Sequence, residues 1–295
     1  MNQNPSAHSS EHPLDQELRV ALKLAREAGA VILQYYNTPL HVEQKKNSYD
    51  SEPVTEADRA ANALIVSGIR QEFPDDGILA EESIDTERRL TKSRVWMIDP
   101  LDGTKGFISR AADFAVQIGL AIDGESVLGV VYQPLPGVTY WAARGGGTWI
   151  ERPGLEAERA RVSDVSDIGA MRLAASRSHR SPRMDRVVRA LGVEQEVQRN
   201  SVGVKVGLLI EQQCDLYVHL SSHTKQWDTC APEAILHEAG GRFTDIFGSP
   251  LRYNSPEVEN LNGIVATNGA AHERIIDQLA PLLVEFGRAK ADVRY

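Results

Sequence analysis

The distribution of apolar and polar positions along the chain predicts helices in its first quarter. Apolar residues recur at helical spacing over residues 14–36, through Leu18 and Ile32. A second amphipathic helix is predicted over residues 55–73, and Pro74 ends it. The stretch between these helices, HVEQKKNSYDSEP, is polar throughout, so we expect a mobile loop there.

Short apolar runs in the middle of the chain predict strands. GILA is a short strand, and RVWMI predicts a buried strand that ends at Asp99. DFAVQIGLAI and SVLGVVYQP flank the pair Asp123-Gly124, which is a strong hairpin signal. VTYWAARGGGTWI continues the antiparallel pattern, and the polar stretch ERPGLEAERARVSD is expected to cross between two halves of the molecule.

The second half of the chain alternates between strand and helix patterns. RLAAS, LYVHL and GIVATN predict strands, whereas KVGLLIEQ and APEAILHEAGG predict helices, the latter stopped by Gly240-Gly241. A terminal helix is expected from about residue 270. This alternation favours an α/β layer.

Composition and charge exclude several classes of protein. The chain has 295 residues, 42% of them hydrophobic, and a net charge of -9, which argues against a general nucleic-acid binder. It lacks a run of about 18 apolar residues, and its first 13 residues resemble a disordered tail rather than a secretory signal. Cys214 and Cys230 lack metal-ligand spacing, so we expect buried free thiols and a cytoplasmic protein.

Acidic residues are found where several predicted elements begin or end. Each has a structural explanation, since Asp58 can complete a capping box with Thr55, Asp228 can be an N-cap, and Asp-Pro and Asp-Gly are common turn pairs. Asp99 and Asp102 nevertheless follow a buried strand, three residues apart. Two like charges that close repel each other unless a cation lies between them. Their carboxylates, an intervening carbonyl and a nearby hydroxyl are hard oxygen ligands that suit Mg²⁺.

Four ordered motifs carry a family resemblance. DPLDGTKGF and WDTCAPEAILHEAGG are similar to the two signature segments of the Mg²⁺-dependent, lithium-sensitive phosphatases that include inositol monophosphatase, and PVTEAD and AEES match two upstream motifs. The resemblance spans about residues 14–287. It implies an α/β fold, a layered α/β/α/β/α sandwich, with subdomains at residues 14–155 and 156–295 and the active site between them.

The resemblance also implies roles for individual residues. Asp58 and Thr104 resemble the pair that positions and deprotonates the attacking water. The N–H groups of Gly103 and Thr104, with the start of the helix at Asp228, are expected to receive the phosphate, and Pro232 is expected in that helix's first turn. The expected ligands of two or three Mg²⁺ ions are Glu81, Asp99, the carbonyl of Leu101, Asp102 and Asp228.

Several positions favour a nucleotide over an inositol phosphate as substrate. DGTKGF is similar to the adenosine 3',5'-bisphosphate nucleotidases, whereas inositol monophosphatases carry Thr-X-Asn-Phe after the Asp-Gly pair. Ser176 and His179 in SRSH match nucleotide contacts of that group. Ser201 and Lys205 in SVGVK match a small residue and a lysine, and the lysine would suit a second phosphate. Ser221 stands where inositol monophosphatases have a glutamate that binds inositol.

The expected reaction is removal of the 3'-phosphate from adenosine 3',5'-bisphosphate to give AMP, with the sulfated analogue as a further substrate. Two alternatives remain open: an inositol mono- or bisphosphatase, and a catalytically idle regulator that binds metal or nucleotide. Neither Lys45 nor Lys46 can be assigned a contact from the sequence, which also leaves both a monomer and a homodimer open. Lithium is expected to inhibit by competing for a Mg²⁺ position.

Overall fold

The computed structural model describes residues 13–39, 41–46, 51–177 and 181–292. The tail expected before the first helix therefore lies almost wholly outside the described residues. Within them, the helices are α1 (Asp15–Tyr36), α2 (Glu56–Glu72), α3 (Thr104–Ile108), α4 (Pro182–Leu191), α5 (Val202–Ile210), α6 (Gln226–Glu238) and α7 (His272–Glu285).

The strands are β1 (Val42–Lys46), β2 (Ser51–Thr55), β3 (Gly77–Ala80), β4 (Arg94–Asp102), β5 (Ala115–Ile122), β6 (Glu125–Gln133), β7 (Val138–Ala143), β8 (Thr148–Glu151), β9 (Glu158–Ala160), β10 (Arg172–Ser176), β11 (Gln195–Arg199), β12 (Leu216–His219), β13 (Arg242–Thr244) and β14 (Ile264–Thr267). They form a β1–β2 pair, a seven-stranded sheet in the order of the chain from β3 to β9, and a five-stranded sheet in the order β11-β10-β12-β14-β13. The larger sheet is antiparallel except for the parallel pair β3 and β4, and the smaller sheet is mixed.

Both faces of the larger sheet are covered, which explains why its central strands are apolar almost throughout. Trp96 and Ile98 of β4 pack into the core formed with α1 and α2. Val95 and Met97 alternate with them and face the other side, where they pack with Cys230 of α6. The side-chain period of two thus places β4 between two helical layers.

Helices α5 and α6 form the layer between the two sheets. The core cluster that includes α5 and α6 also takes Val131 and Tyr140 from the larger sheet and Ala174 and Tyr217 from the smaller one. The outer face of the smaller sheet is covered by α4 and α7, for example through Val187 and Ile275. The order of layers is therefore helix, sheet, helix, sheet, helix, and the predicted five-layered sandwich is confirmed.

Two features differ from the pattern-based expectation for the first half. The stretch expected as a loop contains an antiparallel pair in which Val42 lies opposite Thr55 and Glu43 opposite Val54. The hydrophobic pattern does not reveal these strands because they carry few apolar residues. Their pairing depends on cross-strand backbone hydrogen bonds, which need no particular side chain. The larger sheet also extends through β9, beyond the subdomain boundary that we placed after residue 155.

Helix α6 begins earlier than its apolar pattern indicates. It starts at Gln226, so Lys225 is the N-cap, Asp228 is the third helical residue and Pro232 lies inside the helix. The expectations of an N-cap at Asp228 and of Pro232 in the first turn are therefore wrong. The misplaced start follows from the first turn, in which Trp227 is the one apolar residue, so the turn shows no apolar periodicity.

Cys214 and Cys230 are free and buried, as the sequence predicts. Among the described residues, no helix has the length and apolar character that crossing a membrane requires.

Candidate active site

The carboxyl end of β4 presents the two aspartates of the DPLDGT motif. Asp99 is 2% exposed and Asp102 is 7% exposed, and the pairing of β4 with β5 shifts register between them. The Leu101 N–H donates to Asp99 Oδ1 at 2.9 Å, which fixes the turn of the backbone between the two carboxylates. The neighbouring strand ends alongside, since the Glu81 N–H donates to the Ile98 carbonyl at 3.0 Å. Strand pairing therefore brings Glu81 next to the two aspartates.

A glycine with positive φ turns the chain from β4 into α3. Gly103 has φ +90°, and a Cβ there would lie 2.8 Å from the Asp113 carbonyl oxygen. Both the conformation and the space therefore require glycine at this position. Thr104 follows as the first residue of α3, whose first N–H groups have no partners within the helix.

Asp58 serves both as a helix cap and as a partner of Thr104. Its Oδ2 accepts the Thr55 N–H at 2.8 Å, which completes the capping box at the start of α2. Its Oδ1 lies 3.2 Å from Thr104 Oγ1, which is also 3.2 Å from the Leu101 carbonyl oxygen. Asp58 can therefore cap α2 through Oδ2 and still face Thr104 through Oδ1, so its structural and functional interpretations are compatible.

Asp102 is held by three donors that converge on a single oxygen. Its Oδ2 accepts hydrogen bonds from Gln117 Nε2, Ser201 Oγ and the Gly203 N–H. Gln117 and Ser201 are fully buried, and Ser201 also caps α5 by accepting the Val204 N–H at 2.9 Å. We name these three residues the Asp102 clamp. It joins the larger sheet to the N-terminus of α5.

Asp228 reaches the site from the first turn of α6. Its Oδ2 accepts the Lys225 N–H at 2.7 Å, which is one half of a capping box. An acidic group is favourable there because the N-terminal end of a helix carries partial positive charge. The helix thereby positions a carboxylate opposite those of β4.

These elements surround a cavity of about 170 Å³. We name it the acidic cavity because four carboxylates line it. Of the residues predicted for the site, those that line it are Glu81, Asp99, Leu101, Asp102, Gly103, Thr104, Ser176, Lys205 and Asp228. Asp58 joins them through its hydrogen bond to Thr104. His179 lies outside the described residues, as do the side chains of Lys45 and Lys46.

Burial raises the pKa values of the carboxyl groups around this cavity. The pKa of Asp99 is held well above its ordinary range by burial and then by Glu81 and Asp102. Burial, followed by the charges of Asp102 and Glu81, raises that of Asp228 to about 8. Burial raises that of Asp102 to about 6, although Ser201 and Gly203 oppose the shift. Burial and the neighbouring carboxylates thus disfavour the charged forms of these groups, which a bound cation would stabilise.

Lys205 is the buried cation of the acidic cavity. It is 1% exposed, its Nζ donates to the Asn200 carbonyl at 2.9 Å, and it lies 4.7 Å from the centroid of the Tyr217 ring. Burial lowers its pKa to about 8, while Asp102, Asp113 and Asp228 favour the charged form. Lys205 thus lies close to the metal-ligand candidates.

Ser201 and Ser221 are placed differently from the other predicted contacts. The hydroxyl of Ser201 donates to Asp102 and accepts the N–H that caps α5. Its position therefore favours a role in holding Asp102 over direct contact with the substrate. Ser221 Oγ lies 2.7 Å from His219 Nε2 in a neighbouring cavity.

The residues predicted from the sequence did not include several side chains at the site, among them Gln117 and Tyr217. Gln117 interrupts the apolar strand FAVQIGLAI, and one polar residue in an otherwise buried strand is a signal that could have identified it. Tyr217 of LYVHL gives no such signal, because an aromatic residue is ordinary in a strand. Its hydroxyl is buried and has no hydrogen-bond partner among the described residues.

The model of the inositol monophosphatase family matches residues 14–283. The 3'(2'),5'-bisphosphate nucleotidase CysQ of Shigella flexneri is 38% identical over 240 residues, covering 80% of this chain and 93% of the relative. The 3'(2'),5'-bisphosphate nucleotidase 1 of Dictyostelium discoideum is 30% identical, over 88% of this chain and 94% of the relative.

Solved structures show the same architecture. CysQ of Bacteroides thetaiotaomicron, a bacterial member of the inositol monophosphatase family, has a TM-score of 0.73 and 31% identity, covering 86% of this chain and 97% of that one. An IMPase of Thermotoga maritima has a TM-score of 0.77 and 27% identity, covering 92% and 100%. The predicted family and the resemblance to its bisphosphate nucleotidases are confirmed. With a family match over nearly its whole length and relatives more than 30% identical, the chain belongs to the inositol monophosphatase family.

Proposed function

We propose that this protein is a metal-dependent phosphomonoesterase that hydrolyses the 3'-phosphate of adenosine 3',5'-bisphosphate to AMP and phosphate. The observation that carries the proposal is the acidic cavity, where four buried carboxylates and the Leu101 carbonyl lie beside the Asp58–Thr104 pair. The relatives named as bisphosphate nucleotidases support the choice of substrate.

The residues around the acidic cavity fit divalent cations. Carboxylates and a carbonyl are the hard oxygen donors that Mg²⁺ prefers, and the raised pKa values of Asp99 and Asp228 mark negative charge without sufficient compensation. Among the described residues, no three acidic, histidine or cysteine side chains already form a compact metal cluster. Two or three ions would be held by Glu81, Asp99, Leu101, Asp102 and Asp228.

Bound Mg²⁺ would lower the pKa of water and neutralise charge on the phosphoryl oxygens. The protein's own part is to place the nucleophile: Thr104 Oγ1 and Asp58 Oδ1 hold the attacking water, and Asp58 accepts its proton. Burial raises the pKa of Asp58 to about 6, which makes its carboxylate a stronger base while leaving it ionised at neutral pH. The new O–P bond forms as the bond between phosphorus and the 3'-oxygen breaks. The leaving oxygen takes a proton from a second water, and the proton that Asp58 releases neutralises the hydroxide that remains.

The protein also supplies donors for the transferred phosphoryl group. The N–H groups of Gly103 and Thr104 and the N-terminus of α6 at Asp228 lie at the cavity, where oxyanions are favoured. Ser176 and Lys205 line the same cavity, and we assign them, with His179, to the substrate. The sulfated analogue of the substrate carries the same 3'-phosphate, so we include it. The buried free thiols fit a cytoplasmic protein, monomeric or dimeric.

The identity of the products tests this proposal. The purified chain is incubated with adenosine 3',5'-bisphosphate and Mg²⁺, and the nucleotide product is identified by chromatography. We expect AMP, and we expect Thr104→Val to lower kcat by about 100-fold because the water loses one of its two positioning groups. Thr91→Val makes the same change at an exposed position and should leave kcat unchanged. Release of the 5'-phosphate, or normal turnover by Thr104→Val, would contradict the proposed mechanism.

A further inference from the structure

A second, larger cavity adjoins the acidic cavity. Its volume is about 700 Å³, and Ser176, His219 and His223 line both cavities. The two spaces are therefore neighbours that share a wall between β10 and the loop after β12. The acidic cavity, at about 170 Å³, is the smaller part of the combined space.

The two cavities have opposite electrostatic character. Four carboxylates line the acidic cavity. The described lining of the second cavity contains two arginines and two histidines and no acidic residue, in a chain of net charge -9. We name it the basic cavity. A molecule that spans both cavities would meet metal-ligating oxygens at one end and guanidinium groups at the other.

Arg183 enters the basic cavity from the first turn of α4. The helix begins at Pro182, and its N-cap Ser181 accepts the Met184 N–H at 3.2 Å. The Arg183 guanidinium lies 5.6 Å from the centroid of the Phe286 ring. The ring contacts the guanidinium through a cation–π interaction, and the planar fork of N–H donors on a guanidinium suits an anion. The helix N-terminus adds partial positive charge to the same wall.

Arg288 enters from the segment after α7. Its Nη2 donates to the Leu261 carbonyl at 3.2 Å, and its Nε is buried and has no hydrogen-bond partner among the described residues. Burial, followed by the charge of Arg183, lowers the pKa of Arg288. Two guanidinium groups therefore repel each other across this cavity, and an anion between them would relieve the repulsion.

We infer that the basic cavity binds the anionic group of the substrate that is not hydrolysed, with Arg183 and Arg288 as its partners. The inference rests on the proposed function and names the second half of its substrate site. Lys205, which we expect to contact the substrate, lies among the carboxylates of the acidic cavity, so Arg183 and Arg288 are the guanidinium groups available in the basic cavity. A substrate with two separated anionic groups matches the two cavities, and this arrangement selects against a monophosphate.

The test compares substrates that differ in the second anionic group. The double variant Arg183→Gln/Arg288→Gln is assayed with adenosine 3',5'-bisphosphate, its 5'-phosphosulfate form and adenosine 3'-monophosphate. Loss of charge-assisted hydrogen bonds should raise KM for the bisphosphate by about 10-fold or more. For the 3'-monophosphate, kcat/KM should stay unchanged. KM for the phosphosulfate form should rise as it does for the bisphosphate, and an unchanged KM for both would contradict the inference.

A binding measurement that needs no metal accompanies the assay. Calorimetric titration with AMP in the presence of EDTA measures binding when no metal is held in the acidic cavity. The double variant should bind AMP about 10-fold more weakly than the unaltered protein. Arg186→Gln is the matched control, because Arg186 is on the same helix but pairs with Glu285. It should behave as the unaltered protein in both measurements.

The outcomes separate the inference from the proposed function. If the double variant keeps the preference for the bisphosphate and binds AMP normally, the inference is overturned while the proposed function stands. If the unaltered protein hydrolyses neither nucleotide, the proposed function fails. In that case the AMP titration still tests the inference. The inference is supported if the double variant binds AMP more weakly than Arg186→Gln does, and it is overturned if the two variants bind AMP equally well.

Discussion

At the scale of single residues, we propose that Asp99 is a buried carboxylate that needs a cation. Asp99→Asn keeps an oxygen that accepts the Leu101 N–H but removes one buried negative charge. Without metal, the variant should unfold at a higher temperature than the unaltered protein, because repulsion from Glu81 and Asp102 is relieved. Its turnover should fall by more than about 100-fold. Mutating a residue that only hydrogen-bonds to a metal ligand already lowers metal affinity or activity by about 10–100-fold, and Asp99 is expected to be a ligand itself.

Thermal unfolding with EDTA and with Mg²⁺, together with phosphate release, measures both effects of Asp99→Asn. Mg²⁺ should raise the unfolding temperature of the unaltered protein and not that of the variant. A variant that is stabilised by Mg²⁺ as strongly as the unaltered protein would remove Asp99 from the metal site.

A substitution at Gln117 tests the role of the Asp102 clamp. Gln117→Leu removes the Nε2 donor from Asp102 while Ser201 and Gly203 remain. The apparent affinity for Mg²⁺ should fall by about 10-fold, because a ligand that loses a fixed partner is less well oriented. Gln133→Leu replaces another buried glutamine, which bonds to Tyr140 and not to the clamp, and should leave the affinity for Mg²⁺ unchanged. Calorimetric titration with Mg²⁺ compares the three proteins, and equal affinities would show that Gln117 has no part in the metal site.

At the scale of elements, the docking of α7 onto the smaller sheet should depend on pH. His272 begins α7, and its ring nitrogens lie 2.9 Å from the hydroxyls of Thr244 on β13 and Thr267 on β14. Burial, followed by the charge of Arg242, lowers its pKa to about 4, although Glu273 opposes the shift. The unfolded chain takes up this proton near pH 6.5 and the folded protein only near pH 4. The free energy of unfolding should therefore decrease as the pH falls between these values.

His272→Gln removes this titration and keeps a side chain able to bond to a threonine hydroxyl. Urea unfolding at pH 7, 6, 5 and 4 should show the unaltered protein losing more stability than the variant over that range. Parallel losses in the two proteins would show that His272 does not control the effect.

The elements that the sequence predicted are those with strong apolar periodicity. Helix α1 and strands β4, β5 and β6 lie within or close to the predicted ranges, because their burial fixes which positions are apolar. The β1–β2 pair and the first turn of α6 were missed, since backbone hydrogen bonds and a cap at Lys225 leave little trace in the hydrophobic pattern. The four-carboxylate cavity was predicted through the motifs, but the Asp102 clamp depends on contacts between residues far apart in the chain.

At the scale of the whole molecule, the site lies where three layers of the sandwich meet. Strand β4 provides Asp99 and Asp102 from the larger sheet, while α5 and α6 provide Lys205 and Asp228 from the layer between the sheets. The basic cavity adds the smaller sheet with α4, and the segment after α7. The halves of the chain therefore share one site, which is the arrangement expected for a substrate bound between two subdomains.

The most direct test of the proposed function is phosphate release by the purified protein from adenosine 3',5'-bisphosphate and from inositol 1-phosphate, each with Mg²⁺ and with EDTA. We expect a kcat/KM at least about 100-fold higher for the nucleotide, since a second anionic group held by charge-assisted hydrogen bonds is worth about that much. We also expect EDTA to abolish the activity. A preference for inositol 1-phosphate, or turnover that survives EDTA, would contradict the proposed function.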